Sequence, residues 1–254
     1  MSSPDNFGTA GQKPTHPELL DYLAAKFLKD GWSTKALIKS LMLSETYRQS
    51  STHSAANAAV DPDNDYLWRM SKRRLDAEAI RDAMLAASGE LDKAAPVGSP
   101  VQKMEGPTQQ VARFGGGLGD LAANPKRSIY IPIIRDQTPE SLDLFDFPDA
   151  SLVNGHRDDT SVPSQALYLM NNAAVMKLAE KGADKLIAKY LSPTERIEAA
   201  FKLAFGRGAS KTEAKAAEAF LEKFGKSSPR TGERAAWAAL VQALYGTAEF
   251  RFLD

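Results

Sequence analysis

Apolar residues fall at helical spacing through most of the chain. Leu19, Leu20, Leu23, Phe27 and Leu28 recur every three or four positions, and Leu37, Ile38, Leu41 and Met42 repeat the pattern. Thr15 or His16 is placed to cap the first run, Pro17 suits its first helical position, and Glu18 sits at the positive end of the dipole. Gly31 ends that run and Ser33 caps the next, so the spacing predicts an antiparallel helical hairpin across Gly31-Trp32. Residues 49–60, rich in Ser, Asn and Ala, are expected to form an exposed loop. A third helix is predicted over 76–91 with Leu75, Ala79, Ala83 and Ala87 inward. Residues 92–124, with three prolines and the run Gly115–Gly117, read as a long irregular insertion.

The middle stretch, 126–172, breaks the helical rhythm. Its SIYIPII run (128–134) is β-branched and aromatic, and Pro132 restricts it to an edge strand or an extended segment. Thr138-Pro139-Glu140 has the form of a short helix start, and residues 149–162 are polar with an Asn154-Gly155 turn. Ser161-Val162-Pro163-Ser164-Gln165 then opens a long helix over 165–190, with Leu167, Met170, Ala174 and Leu178 on one side and a break expected near Gly182. Further helices are predicted over 194–205, 210–224 and 233–245, with Glu213 completing a capping box on Ser210. The expected fold is mainly α. It is a helical bundle with a long irregular insertion and at most one short extended or hairpin element, near 129–134. It reads as one continuous domain truncated at its N-terminus. A helical hairpin and loop-rich central region occupy 1–164, and a C-terminal helical subdomain occupies 165–254.

Composition narrows the function. The 254 residues are 43% hydrophobic and 25% charged, an ordinary globular balance, and 32 basic residues match 32 acidic ones. Neutrality argues against nucleic acid or an anionic membrane held by bulk charge. The absence of cysteine removes disulfides, thiolate nucleophiles, cysteine metal sites and haem attachment from this chain. No stretch approaches a membrane span, and residues 1–14 have neither the basic nor the apolar region of a signal peptide.

Most motif-like features are weak. Asp61, Asp63 and Asp65 imitate a calcium loop, but its sixth and twelfth places hold Tyr66 and Lys72, so a turn before 66–70 is expected and no metal. The Gly-rich run 114–120 has no Gly-Lys-Ser/Thr and reads as a flexible loop. His16, His53 and His156 share no ligand spacing, and no nucleophile elbow occurs. Arg73, Arg74, Glu78, Arg81 and Asp82 share one helix, either as a solvated ion-pair face or with Arg73 or Arg74 clamping the Asp146 region. The cluster with most chemistry is Arg127, Arg135, Asp146, Asp149, Arg157, Gln165 and Asn171. It reads either as a structural network pinning a long loop or as a polar pocket for a sugar or carboxylate, with arginines as donors. Paired carboxylates between Asp146 and Asp159 are also the groups a polysaccharide-processing enzyme would use.

Five segments in order complete the picture: HPELLDYLAAKF, GWSTKALIKSLMLSETYRQSS, NDYLWRMSKRRLDAEAIRDAML, RSIYIPIIRD and HRDDTSVPSQALYLMNN. From about Asp5 to its end the chain resembles the planctomycete-type PSD domain, a domain of unknown function. That domain is similar to those found downstream of cytochrome-c-like modules in large exported bacterial proteins. The resemblance implies the C-terminal part of a longer domain, an exported location, and haem only on a separate module. It implies no activity, so a non-catalytic binding or scaffolding module with a glycan or protein partner is the expectation. A polysaccharide-processing enzyme and a purely structural domain are the alternatives.

Overall fold

The computed structural model describes residues 5, 6, 8–98, 124–133, 138–227 and 232–253. Those residues form eleven α-helices and one two-stranded antiparallel ribbon, a mainly α fold. The chain divides into two compact units. One is Met1–Arg74 with Val153–His156 and Phe252–Asp254, and the other is Leu75–Leu152 with Arg157–Arg251. The glycine run 114–120 and Arg135 lie outside the described residues.

The first unit contains helices α1 (Pro17–Lys29), α2 (Thr34–Met42) and α3 (Ala55–Val60), and strands β1 (Arg73–Arg74) and β2 (Phe252–Leu253). Its hairpin forms as the pattern predicts. After α1, Gly31 (φ 71°) and Trp32 (φ 62°) turn left-handed. Trp32 N–H bonds Phe27 O at 3.0 Å and Gly31 N–H bonds Leu28 O at 3.1 Å, satisfying the orphan carbonyls of the helix end. The Trp32 ring stands edge-on to Phe27, centroids 5.5 Å apart, which is the apolar contact such an ending requires. Ser33 Oγ then accepts Ala36 N–H at 3.2 Å and starts α2. The cap expected from Thr15 or His16 is not made, because their side chains bond each other at 3.0 Å.

Residues 55–60 are helical, not loop, because Ser54 Oγ accepts Asn57 N–H and caps α3. The DPDND stretch is a staple without a following helix. Asp61 accepts the N–H groups of Asp65 (2.9 Å) and Tyr66 (2.8 Å), and Trp68 Nε1 donates to Asp61 O. Ser51, Asp61, Asn64 and Arg74 are the buried residues of this unit among those described, and all four are polar.

The second unit holds α4 (Ala77–Ser88), α5 (Glu140–Asp143), α6 (Pro163–Asn171), α7 (Ala173–Lys189), α8 (Pro193–Phe205), α9 (Lys211–Ser227), α10 (Gly232–Tyr245) and α11 (Ala248–Arg251). Its core is continuous, with α7 against α10 and α4 crossing α7. Ala179, Gly182 and Ala183 give α7 a small-residue face that lets both neighbours approach. Capping boxes start α8 (Ser192 with Glu195) and α9 (Ser210 with Glu213), the latter as expected.

Three expectations fail locally. The helix predicted over 165–190 breaks at Asn172, whose side chain accepts Ala174 N–H at 2.9 Å and caps α7; Gly182 lies buried in an unbroken helix. On α6 Gln165, Tyr168 and Leu169 are buried, while Leu167 and Met170, expected inward, are exposed. On α4 the buried stripe is Ala77, Ile80, Met84 and Ala87, with Arg81 among them, and Ala79 and Ala83 are only half-buried. Finally, Ser128–Tyr130 is a 3-10 turn, and the extended element is the β1–β2 ribbon instead. Strand propensity does not prevail where no partner strand is offered and a side chain of α4 claims the backbone.

Candidate functional site

Some of the polar residues singled out in the sequence meet side chains of α4. Glu78, Arg81 and Asp82 fall at i, i+3 and i+4 on α4. That face receives residues 124–128 and, separately, Arg157.

Residues 124–128 are held by Arg81, which is 3% exposed. Its Nη1 donates to Lys126 O and to Ser128 Oγ, each at 3.1 Å, and its Nη2 donates to Asn124 O. Asp82 Oδ1 accepts both Ser128 N–H (2.8 Å) and Ser128 Oγ–H (2.7 Å). Burial holds the Arg81 guanidinium below its ordinary pKa, and the neighbouring Asp82 partly offsets this. Arg127, the predicted donor here, reaches Asp82 only at 3.8 Å with half its side chain exposed.

Arg157 forks onto Glu78, Nη1 to Oε2 at 2.6 Å and Nη2 to Oε1 at 2.9 Å, with its guanidinium carbon 5.5 Å from the Phe147 ring centroid. This planar two-bond geometry is the strong form of an arginine–carboxylate pair. Burial alone would raise the Glu78 carboxyl, but the Arg157 hydrogen bonds and charge carry it below its usual value. A depressed carboxyl stabilises the fold above its unfolded pKa, and that contribution is lost as pH falls through the folded value. We therefore expect part of the acid loss of stability, beginning near the ordinary Glu value of 4.5 and continuing below it, to come from this pair. Thermal melts from pH 7 to pH 3 check it: Glu78→Gln should be less stable than wild type at pH 7, and the difference should shrink toward pH 3. A difference that stays constant would remove Glu78 from the acid response.

Beyond Phe147 the loop is closed by Asp146, Thr160 and Gln165. Asp146 adopts φ 60°, a left-handed conformation that Asp tolerates better than most residues. Its carboxylate accepts Thr160 N–H at 2.9 Å and Thr160 Oγ–H at 2.8 Å. Gln165, fully buried, donates from Nε2 to Leu144 O and Thr160 O, each at 3.1 Å. Asp149 lies outside this arrangement, accepting Ser151 N–H at 2.7 Å on an exposed turn. Asn171 is outside it too, exposed and donating to Leu167 O within its own helix. His156, Asp158 and Asp159 are exposed.

Sequence reasoning missed Arg81, Asp82 and Ser128 as members of one network. Their sequence separation is 46 or 47 residues, and no local pattern joins them. Arg73 and Arg74, expected on one helix with Glu78, form strand β1 instead, and the partner of Glu78 is Arg157, 79 residues away. Chemically the cluster is a set of donors and acceptors turned on one another and on backbone. The Arg157 fork is filled by a carboxylate, and Gln165 Nε2 is filled by two carbonyls. Among the described residues no group of three or more His, Asp or Glu side chains is placed to hold a metal ion. No helix among them is long and apolar enough to cross a membrane.

The first unit offers a different kind of surface. No residue of α1 or α2 is buried. The two helices meet, and their half-buried positions are Leu23, Lys26 and Phe27 on α1 and Ala36, Leu37 and Ser40 on α2. Apart from these, Leu20 (51% exposed), Leu28 (53%), Trp32 (68%) and Ile38 (55%) face outward.

A family model described as PSD1, protein of unknown function (DUF1553), matches residues 1–221. No curated protein and no solved structure matches the chain.

Proposed function

The chain belongs to the PSD1 family of proteins of unknown function, and from that premise we propose that it is a non-catalytic scaffolding module that engages a protein partner. The observation that carries this reading is the helical hairpin α1–α2, two amphipathic helices with every residue at least partly exposed. Leu20, Leu28 and Ile38 stay more than half exposed there, and exposed apolar patches mark interaction sites. The polar cluster supports the same reading from the other side. Its arginine and glutamine donors and the Asp146 carboxylate are already engaged within the fold, which leaves the chain's own groups in the place a glycan would need. The module would belong to a large exported bacterial protein, with haem on a separate cytochrome-c-like module and none held by this chain.

A dye that fluoresces on apolar surface tests the reading. The folded chain at about 1 μM, dilute enough to disfavour micromolar self-association, should bind it well below the melting transition. The double variant Leu28→Glu with Ile38→Glu should lose most of that signal while melting cooperatively at nearly the same temperature. A native chain that binds no dye would overturn the assignment of the hairpin as a docking face.

A further inference from the structure

The amide carbon of an asparagine lies within five-membered-ring reach of the next residue's backbone nitrogen. A side chain on that next residue, a hydrogen bond that engages its N–H, or helical dihedrals keep the two apart. Of the seven asparagines, Asn154 alone precedes a glycine, which has no Cβ to crowd the approach. Asn57, Asn64 and Asn171 are each followed by an N–H that is already bonded. Ala58 N–H goes to Ser54 O, Asp65 N–H to Asp61 Oδ1 and Asn172 N–H to Tyr168 O, each at 2.9 Å. The Asn172 side chain is occupied in capping α7. Asn124 precedes Pro125, whose nitrogen bears no hydrogen, and Asn6 precedes the bulky Phe7.

Asn154 and Gly155 are exposed and lie outside the helices and strands of the described residues. No hydrogen bond among those residues engages the Asn154 amide or the Gly155 N–H. Asp30-Gly31, the corresponding acid pair in this chain, is held in a way that Asn154-Gly155 is not. Gly31 N–H bonds Leu28 O at 3.1 Å, and the Asp30 carboxylate accepts Lys26 Nζ at 2.6 Å. Position 155 has no room for a side chain, since a Cβ there would stand 2.5 Å from Asp5 Cγ. The reactive pair is therefore varied at Asn154 and not at Gly155.

We propose that Asn154 is a site of spontaneous covalent modification, deamidation through a cyclic imide. The Gly155 nitrogen attacks Asn154 Cγ and gives up its proton. A new C–N bond forms, the Cγ–Nδ2 bond breaks and ammonia departs. Water then opens the ring at either carbonyl, leaving aspartate or isoaspartate, with no change of oxidation state. The product carries one more negative charge, and in its isoaspartate form one more backbone carbon, three residues before the Arg157 fork. Incubation of the full folded chain in mildly alkaline buffer, with proteolytic mapping by mass spectrometry at intervals, tests it. The fragment carrying residue 154 should change from amide to acid before any fragment carrying another asparagine. Its rate should be close to that of a synthetic peptide spanning 150–159, and isoaspartate should be among its products. Asn154→Gln moves the amide carbon out of five-membered-ring reach and should keep its amide over the same period. Four results overturn the proposal. They are a folded chain that retains the Asn154 amide while the peptide converts, a product that is aspartate alone, another asparagine that changes first, or a glutamine variant that loses its amide as fast.

Discussion

Replacing Arg81 with methionine is expected to lower the stability of the fold by about 3 kcal/mol, the cost of removing one member of a buried charged network. Methionine keeps the apolar stem of the side chain, so packing along α4 is largely preserved and most of the loss is polar. The acceptors left behind are Asn124 O, Lys126 O and Ser128 Oγ, and each unsatisfied buried group costs about 1–3 kcal/mol when water does not reach it. Asp82 continues to hold Ser128, which keeps the total from being larger. Arg81→Lys should recover only part of the loss, since an ammonium cannot reproduce a planar fork bonding three acceptors. Denaturant unfolding of the three proteins reads the result directly. A methionine variant within about 0.5 kcal/mol of wild type, the range of an ordinary surface substitution, would mean that residues 124–128 are not held by Arg81.

Gly182 is expected to give a graded series on α7. A Cβ there would stand 3.3 Å from Val241 Cγ1, 3.6 Å from the Tyr245 hydroxyl and 3.7 Å from Ser88 Cα. The position is therefore one where α4 and α10 both approach α7 closely. Alanine gains up to ~1 kcal/mol of helix propensity over glycine and pushes only on the end of Val241, so Gly182→Ala should lie within about 1 kcal/mol of wild type. Leucine must place three further carbons in the same gap. The adjoining apolar void of about 10 Å³, lined by Ala87, Leu186, Val241 and Tyr245, has room for about one water and no more. Gly182→Leu should cost about 3 kcal/mol, at the upper end for overpacking. Melts of both variants check this, and a leucine variant as stable as the alanine one would show that the helices part without cost.

Both results concern positions where the linear pattern misleads. Arg81 lies on a helix whose charges read as a solvated face, yet it is among the least exposed residues of α4. Gly182 reads as a helix breaker, yet it lies buried between α4 and α10. In each case what decides the environment is another segment more than 40 residues away, and helical spacing carries no information about it. The candidate cluster divides along the same line. Arg157, Asp146 and Gln165 do share one loop closure, each through partners the sequence could not specify. Asp149 and Asn171 have the same residue chemistry and satisfy themselves locally on the surface.

The sequence by itself determined the helical class, the hairpin with its Gly31-Trp32 ending, and the capping box at Ser210. All of these depend on contacts within about five residues, where backbone hydrogen bonding and side-chain periodicity act without reference to the rest of the chain. The tertiary structure alone decided which helical face is inward and that Ser128–Tyr130 turns instead of extending. It also decided that the polar centre spends its charges on holding two loops to α4. Those outcomes depend on which distant groups compete for the same backbone donors and the same buried volume, and that competition exists only once the chain has closed on itself.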